Sequence, residues 1–156
     1  MDIEIILLDK SHIPKVISLI AGYLNSSSNG VDESDPSPDQ LEQCEQILNR
    51  FINDSSAYCY LAKQEHEYIG FIILSWSFSI SKGSPVLRIE ALYSSSKHRK
   101  KGVGRKLMEH AIDLAISNKA ARLQLETDDD NAPARTLYKQ LGFKMLEGKG
   151  VYMSFL

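Results

Sequence analysis

The sequence predicts a mixed α/β fold in a single domain. Segments with apolar residues at helical spacing alternate along the chain with runs rich in β-branched and aromatic residues. A chain of 156 residues can bury one full hydrophobic core but is short for two domains. We therefore expect helices packed on a sheet within one domain over residues 1–156.

The first elements are a strand and a helix, followed by a loop. Ile3, Ile5 and Leu7 recur at every second position, which indicates a short strand. A helix should begin near Ser11. Its apolar residues recur at helical spacing and are Ile13, Ile17, Ile20 and Leu24. The small polar residues of Ser26 to Asp35 end this pattern and predict a mobile loop.

A second helix has a complete start signal. Ser37 as the cap, Pro38 at the first helical position and Gln40 three residues after the cap form a capping box. The apolar stripe that follows is Leu41, Cys44, Leu48 and Phe51. Cys44 is most simply a small core residue, and the alternative of a functional thiol has no partner motif. With Cys59 there are two cysteines, too few for a disulfide scaffold, so we expect a reducing compartment.

The middle of the chain is rich in β-forming residues. Tyr58 to Lys63 and Tyr68 to Ser77 are joined by a short polar segment, which is the pattern of a hairpin. The turn Ser81 to Pro85 then leads to a strand from Val86 to Tyr93. The remaining predicted elements are a helix from Gly102 to about Asn118, a strand from Arg122 to Glu126, a helix from Asn131 to Leu141 and a final strand near Val151 to Phe155.

Composition excludes several classes of protein. With 43% hydrophobic and 24% charged residues, the chain is typical of globular proteins and unlike disordered or fibrous ones. Its 18 Lys and Arg against 20 Asp and Glu give a net charge of −2, so no global positive field marks a nucleic-acid or membrane binder. The acidic start is unlike a secretory signal, and the apolar run Ile69 to Leu74 is too short to span a bilayer. We expect a cytoplasmic protein.

A glycine-containing basic turn follows the predicted strand Val86 to Tyr93 and opens a helix. Gly102 and Gly104 let the backbone approach a ligand, and the first N–H groups of a helix point outward at its positive end. The basic side chains beside them are Arg99, Lys100, Lys101, Arg105 and Lys106. This pattern suits a polyphosphorylated ligand such as coenzyme A or a nucleotide. The alternative is a plain turn with a solvated basic helix start, including a nucleic-acid contact.

Two known phosphate motifs are absent from this turn. A dinucleotide fingerprint needs a third glycine, but Leu107 stands at that position. A P-loop needs Gly-Lys followed by Ser or Thr, which the sequence does not contain. Nicotinamide chemistry and nucleoside-triphosphate hydrolysis therefore lose their main support.

The order of these motifs resembles the GCN5-related N-acetyltransferase (GNAT) superfamily. The matching residues are Glu90-Ala91-Leu92-Tyr93, Arg99-x-x-Gly102-x-Gly104, Glu126, Asn131, Leu137-Tyr138 and Leu141-Gly142-Phe143. The resemblance covers Gly70 to Phe143 closely and the whole chain loosely. Within the superfamily, Ile69-Gly70-Phe71 through Arg88 to Tyr93 is most similar to the small-amine branch that includes spermidine/spermine acetyltransferases.

The resemblance implies a central, mostly antiparallel sheet that is splayed between strands 4 and 5, with helices on both faces and acetyl-CoA in the gap. It assigns backbone groups near the end of strand 4 to the pantetheine arm and the basic turn to the pyrophosphate. The implied cofactor-binding residues are Leu92, Tyr93, Ser94, Arg99, Lys100, Lys101, Gly102, Val103, Gly104, Arg105, Asn131, Ala134 and Tyr138. Ser94 and Lys100 depart from the family pattern, which usually has Val and often Gly at these positions.

Acetyl transfer from a thioester to an amine needs a neutral nucleophile, a polarised carbonyl and a proton for the thiolate. Glu90, near the end of the central strand, is the candidate to attract the amine and take its proton. The resemblance assigns Tyr138 as the general acid and the Leu92 N–H as the group that polarises the carbonyl. The alternatives are that Glu90 pairs with Arg88 or Lys82 on a solvated face, and that Tyr138 only packs.

No metal is expected. The four histidines lie in different elements without metal-ligand spacing, and are His12, His66, His98 and His110. The run Asp128-Asp129-Asp130 is explained by the helix N-terminus that follows it, which favours negative charge. Trp76 and Phe78 line either the core or the acceptor side of the cleft.

The acceptor is expected to be a small cationic amine or a polyamine, acetylated by direct attack in a ternary complex. Asp32, Glu33, Asp35 and Asp39 would attract a cation if their segment folds over the cleft, while a solvated acidic loop is an equal alternative. A protein or peptide N-acetyltransferase, and a non-catalytic acetyl-CoA or nucleic-acid binding module, are the competing functions. The apolar final strand favours a homodimer.

Overall fold

The computed structural model describes residues 2–26, 35–128 and 131–156. These residues form two compact units, Met1–Glu126 and Thr127–Leu156. Most of the predicted acidic loop, including Asp32 and Glu33, lies outside the described residues. Asp129 and Asp130 also lie outside them. Among the described residues, no helix is long and apolar enough to cross a membrane.

The first unit is built on a five-stranded mixed sheet, which confirms the predicted fold class. Its strands are β1 (Glu4–Leu7), β2 (Ala57–Gln64), β3 (Glu67–Ser79), β4 (Ser84–Ser94) and β5 (Arg122–Leu125). They lie in the order β1-β2-β3-β4-β5, and each neighbouring pair is antiparallel except β4 and β5. A parallel pair needs a crossover connection, and a helix supplies it here.

Helices cover both faces of this sheet. They are α1 (Ile13–Asn25), α2 (Pro38–Ile52) and the crossover helix α3 (Val103–Ser117). α1 and α2 pack with Leu61, Phe71 and Tyr93 in one hydrophobic cluster. Gly70, the neighbour of Phe71, faces Val103 and Leu107 of α3. Because successive strand residues point to opposite faces, α3 lies on the other side of the sheet.

The helix starts follow the local sequence signals. Asp9 caps a short 3-10 turn over Lys10–His12, so α1 itself begins at Ile13, two residues later than predicted. The predicted capping box before α2 is present, since the Gln40 N–H donates to Ser37 Oγ over 3.2 Å and the Ser37 N–H donates to Gln40 Oε1 over 3.0 Å. Cys44 is buried in the core, as predicted.

The pairing of β4 with β5 ends before β4 does. β5 pairs with Val86 to Ile89, and β4 runs on to Ser94. At the same place Ile73 pairs with Ala91 and Leu74 pairs with Ile89, so Glu90 is an extra residue in a β-bulge. A bulge bends its strand and increases the local twist. The bulge therefore lies directly after the last residue of β4 that pairs with β5.

The second unit contains α4 (Ala132–Gln140), whose predicted bounds were within one residue at each end. The final strand predicted near Val151 to Phe155 is wrong, since residues 151–156 have no regular secondary structure and are exposed. β-forming residues make a strand only where a neighbouring strand supplies hydrogen bonds. Within the described residues of this unit no strand is available to pair with them.

Candidate active site

The end of β4 has one edge paired with β3 and one edge that β5 leaves open. The Ser95 N–H donates to the Ile69 carbonyl over 2.8 Å, which shows that Ser95 faces β3. Backbone groups of successive strand residues point to alternate edges, so those of Leu92 and Ser94 face away from β3. The Ser94 carbonyl accepts a hydrogen bond from Arg99 Nε at 3.3 Å. The edge thus offers backbone donors and acceptors to a ligand.

Tyr93, the third predicted pantetheine residue, faces the other way. Its side chain is buried, and its ring packs edge-on against Tyr23 of α1 with centroids 5.8 Å apart. The Arg99 guanidinium lies 5.7 Å from the centroid of the same ring. Tyr93 therefore anchors the strand in the core and holds Arg99 near the open edge.

The basic turn presents the N-terminus of α3 without a side-chain cap. The cap residue is Gly102, with φ of 83° in the left-handed region, and it has no side chain that could cap the first turn. The Lys106 N–H makes the first helical bond, to the Gly102 carbonyl over 3.0 Å. The N–H groups of Val103 and Gly104 precede it and have no partner within the helix. Such a terminus attracts anions.

Lys100 adopts an unusual backbone conformation in this turn. Its φ is 65°, in the left-handed region that glycine prefers. This conformation costs a residue with a side chain roughly 1 kcal/mol. Lys100, which stands where the family pattern often has Gly, therefore keeps a glycine-like backbone conformation and adds a positive charge to the turn.

Glu90 is held by a serine and an arginine on one face of the sheet. Ser75 Oγ donates to Glu90 Oε1 over 2.7 Å, and Arg88 Nε donates to the same oxygen over 3.4 Å. The Glu90 side chain is 44% exposed. The alternative of an ion pair with Arg88 is thus observed, and it leaves the carboxylate accessible to an acceptor.

Glu126 is a second carboxylate in the same cluster. The sequence motif includes Glu126, but the sequence assigned no role to it. Arg88 Nη2 donates to Glu126 Oε1 over 3.4 Å. Ile89 pairs with Leu125, so the residue after each lies at the point where the strands separate. The signal that could have found Glu126 is the alternation of polar residues at positions 122, 124 and 126.

The second unit positions Tyr138 through the end of α4. The Phe143 N–H donates to the Tyr138 carbonyl over 2.9 Å and the Gly142 N–H to the Lys139 carbonyl over 3.1 Å, which is a Schellman motif. Gly142 has the required positive φ of 90°, and the rings of Phe143 and Tyr138 lie 6.0 Å apart. Burial raises the pKa of Tyr138 above its ordinary value, so the hydroxyl is protonated at neutral pH.

Asn131 and Ala134 share a helix cap. The Ala134 N–H donates to Asn131 Oδ1 over 3.4 Å, at the start of α4. The cap uses the carbonyl oxygen of the Asn131 side chain, so the contact predicted between this residue and the cofactor would come from its amide nitrogen.

Trp76 and Phe78 lie in different surroundings. Trp76 lines a cavity of about 200 Å³ with Tyr58, Tyr60 and Leu114, while the Phe78 side chain is 59% exposed. The described residues contain no group of three His, Cys, Asp or Glu side chains that could hold a metal ion. Phe78 therefore does not belong to the core.

A known protein family matches most of the chain. The family model described as the Acetyltransferase (GNAT) family matches residues 23–143. The chain belongs to that family. It is therefore an acetyltransferase, and the family's co-substrate is acetyl-CoA.

Relatives of this acetyltransferase carry several acetyltransferase names. It is 31% identical over 104 residues to the Uncharacterized N-acetyltransferase YhfO of Bacillus subtilis (strain 168), covering 67% of this chain and 70% of the relative. It is 34% identical over 93 residues to Streptothricin acetyltransferase of Escherichia coli, covering 60% of this chain and 51% of that protein. The second match thus spans about half of its relative.

The fold of the acetyltransferase also matches solved structures. The Ribosomal-protein-alanine N-acetyltransferase from Brucella melitensis biovar Abortus 2308 has a TM-score of 0.80, with 19% identity, over 99% of this chain and 100% of that one. At this identity the likeness concerns the fold alone. The mixed sheet with a parallel β4 and β5 is thus the GNAT fold.

Proposed function

We propose that the chain transfers the acetyl group of acetyl-CoA to a primary amine of a small cationic acceptor, by direct attack in a ternary complex. Polyamines belong to this class. The observation that carries the proposal is the uncapped α3 N-terminus beside the strand edge that β5 leaves open. The first feature suits a pyrophosphate and the second suits the amide groups of pantetheine.

The first unit offers a continuous set of groups to coenzyme A. Leu92 and Ser94 supply strand-like backbone partners for the pantetheine amides, and the N–H groups of residues 103–104 face the pyrophosphate. The side chains that add positive charge near these amides are Arg99, Lys100, Lys101 and Arg105. Bound acetyl-CoA supplies an acyl carbon that is activated as a thioester. The remaining steps fall to the chain's own residues.

Glu90 is proposed to receive the acceptor amine. An amine enters protonated at neutral pH and must lose a proton before its nitrogen can attack. The 44% exposed carboxylate of Glu90 attracts the ammonium and takes the proton directly or through water. As the C–N bond forms and the C–S bond breaks, the Leu92 N–H is proposed to stabilise the developing negative charge on the acyl oxygen.

Tyr138 is proposed to return a proton to the departing thiolate of coenzyme A. Because burial raises its pKa, the hydroxyl carries its proton at neutral pH and can donate it. The helix cap at Asn131 and the Schellman motif at Gly142 hold both ends of the helix that bears Tyr138. The proposed cofactor contacts of Asn131 and Ala134 lie at the start of the same helix.

The test is the release of coenzyme A from acetyl-CoA, read with a thiol reagent. The acceptor panel contains polyamines, amino acids, aminoglycosides and short peptides. Release that depends on a small amine supports the proposal, and mass spectrometry of the acceptor confirms an added acetyl group. Release with peptides alone would favour a protein N-acetyltransferase, the second candidate, which is the activity named for the Brucella structural match. Binding of acetyl-CoA without transfer to any acceptor would overturn the proposal.

We also propose a cytoplasmic location and a homodimer for this protein. The reducing compartment expected from free, buried Cys44 and Cys59 corresponds to a cytoplasmic enzyme. A homodimer is proposed because the described C-terminal residues expose large apolar side chains, with Tyr152 at 97% and Phe155 at 90% exposure. Light scattering after size exclusion tests the dimer, and a monomer at micromolar concentration would exclude it.

A further inference from the structure

The chain leaves β4 through a short turn that ends at a histidine. A 3-10 turn over Ser96–His98 follows the end of β4 after one residue, Ser95. The Ser95 N–H donates to the Ile69 carbonyl over 2.8 Å, and the His98 N–H donates to the Ser95 carbonyl over 2.9 Å. The next residue is Arg99, the first of the basic turn. The backbone therefore enters the basic turn from a point that is tied to β3.

The His98 side chain lies between a serine and a carboxylate. Ser95 Oγ and His98 Nδ1 are 2.6 Å apart, within hydrogen-bond distance, and His98 Nε2 lies 3.7 Å from Glu67 Oε2 at the start of β3. A neutral imidazole that accepts the serine proton at Nδ1 carries its own proton at Nε2, on the side of Glu67. The His98 side chain is only 13% exposed. It therefore joins the end of β4 to the start of β3.

The basic turn depends on its two ends for its conformation. Residues 99–102 lie between the 3-10 turn and α3. Lys100 and Gly102 both have a positive φ, of 65° and 83°, and this conformation is unfavourable for a residue with a side chain such as Lys100. Such a conformation persists only where the surrounding structure holds it. α3 holds one end of the turn, and the contact between Ser95 and His98 holds the other.

The conformation of the turn matters for anion binding at the start of α3. The N–H groups of Val103 and Gly104 bind an anion best when they are already in place. An ordered turn also loses less conformational entropy when the ligand binds. A residue that orders the turn in the free protein therefore raises the affinity for a pyrophosphate through the backbone of the turn.

We infer that His98, held between Ser95 and Glu67, is a positioning residue that fixes the basic turn in the conformation that binds the pyrophosphate of coenzyme A. The inference rests on the coenzyme A site of the proposed function and adds a residue that acts through the turn. It requires that residues 99–104 become less ordered in the free protein when the contact between Ser95 and His98 is removed. It also requires that coenzyme A then binds more weakly.

Substitutions remove the two contacts of His98 together or separately. His98→Ala removes both and should weaken coenzyme A binding at least about fivefold, measured by calorimetric titration. Ser95→Ala should weaken it at least about threefold, and the double variant should bind no more weakly than His98→Ala, because the two residues share one contact. His98→Asn should keep most of the affinity, since its amide group can occupy the position of Nδ1 and keep the contact with Ser95.

Hydrogen exchange measures the order of the turn in the absence of any ligand. In His98→Ala the amides of residues 99–104 should exchange faster, while the rest of the chain keeps its wild-type rates. His12→Ala is the matched control. His12 ends a similar 3-10 turn before α1, its Nδ1 accepts the Asp9 N–H over 2.9 Å, and its side chain is 14% exposed. This control should change neither the exchange of residues 99–104 nor the affinity for coenzyme A.

Several results would overturn the inference. These are wild-type affinity or wild-type exchange of residues 99–104 in His98→Ala, an equal loss of affinity in His12→Ala, or additive losses in the double variant. Melting temperatures show which variants are folded, and Ser95→Ala with His98→Asn decides the question if His98→Ala is not. Failure of the wild type to bind coenzyme A would overturn the proposed function, whereas the exchange rates decide on their own whether His98 fixes the turn.

Discussion

Gly70 packs directly against the backbone of Tyr93, with no room for a side chain between them. A Cβ atom at Gly70 would lie 2.6 Å from the Tyr93 carbonyl oxygen and 2.8 Å from Cγ1 of Val103. Tyr93 belongs to the strand proposed for pantetheine, and Val103 is the first residue of α3. Gly70 therefore lets both proposed parts of the coenzyme A site approach the same point on β3.

Gly70→Ala should destabilise the protein and weaken coenzyme A binding. The added methyl group must displace either the carbonyl or the start of α3, and overpacking of this kind costs about 1–3 kcal/mol. Chemical denaturation and calorimetric titration measure the two effects. Gly150→Ala is the control, since the nearest atom to its Cβ, in the Tyr152 ring, lies 3.8 Å away. Wild-type stability of Gly70→Ala would contradict the close contact.

Lys100→Gly and Lys100→Ala should differ in stability but agree in coenzyme A affinity. Glycine removes the cost of the left-handed conformation at φ of 65°, whereas alanine keeps it, so the glycine variant should be more stable by roughly 1 kcal/mol. Both variants lose the same charge and should bind coenzyme A more weakly. Denaturation and calorimetry measure these quantities.

Lys119→Gly is the matched control for Lys100, because Lys119 also has a positive φ of 55° but follows the far end of α3. It should gain stability without a change in coenzyme A affinity. An equal loss of affinity at position 119 would mean that general charge, and not the basic turn, attracts the ligand.

The sequence predicted the fold well where the signal was local. The capping box at Ser37 and Gln40 placed the start of α2 to the residue, because its hydrogen bonds lie within one turn. The bulge at Glu90 could not be predicted, since it depends on the register between β3 and β4. The pairing of Glu126 with Arg88 likewise depends on the parallel register of β4 and β5. The prediction of a final strand near Val151 to Phe155 was wrong because apolar residues do not specify a pairing partner.

Cys44 and Cys59 should not react with a thiol reagent in the native protein. Burial raises the pKa of both thiols, and that of Cys59 reaches about 12. At pH 8 only about one Cys59 thiol in ten thousand would be ionised, and the thiolate is the reactive form. Colorimetric titration should find no reactive thiol in buffer and two in guanidinium chloride. Rapid native labelling would show that the core around β2 opens.

Glu90→Gln should reduce kcat/KM for the amine and leave acetyl-CoA affinity unchanged. The amide keeps the shape of the side chain but can neither take a proton nor attract an ammonium. We expect a loss of at least about tenfold, which corresponds to roughly 1.4 kcal/mol. Ser75→Ala is a milder variant, because it removes one hydrogen bond to the same carboxylate and keeps its charge. A rise in KM with unchanged kcat would mean that Glu90 binds the acceptor without acting as a base.

Tyr138→Phe should lower turnover at least about tenfold with little loss of acetyl-CoA affinity, since the phenyl ring keeps the contact with Phe143 and only the proton donor is removed. Because burial raises the pKa of Tyr138 above its ordinary value near 10, its hydroxyl stays protonated through the neutral range. Ionisation of Tyr138 should therefore cause no loss of wild-type turnover below about pH 10.

The control is Tyr152→Phe, at a tyrosine of the same unit that is 97% exposed, and it should leave turnover unchanged. Steady-state kinetics from pH 7 to 10, together with calorimetric titration of acetyl-CoA, measures both variants. If Tyr138→Phe turns over at a near-normal rate, the thiolate takes its proton from solvent, because the only change in that variant is the loss of one hydroxyl group.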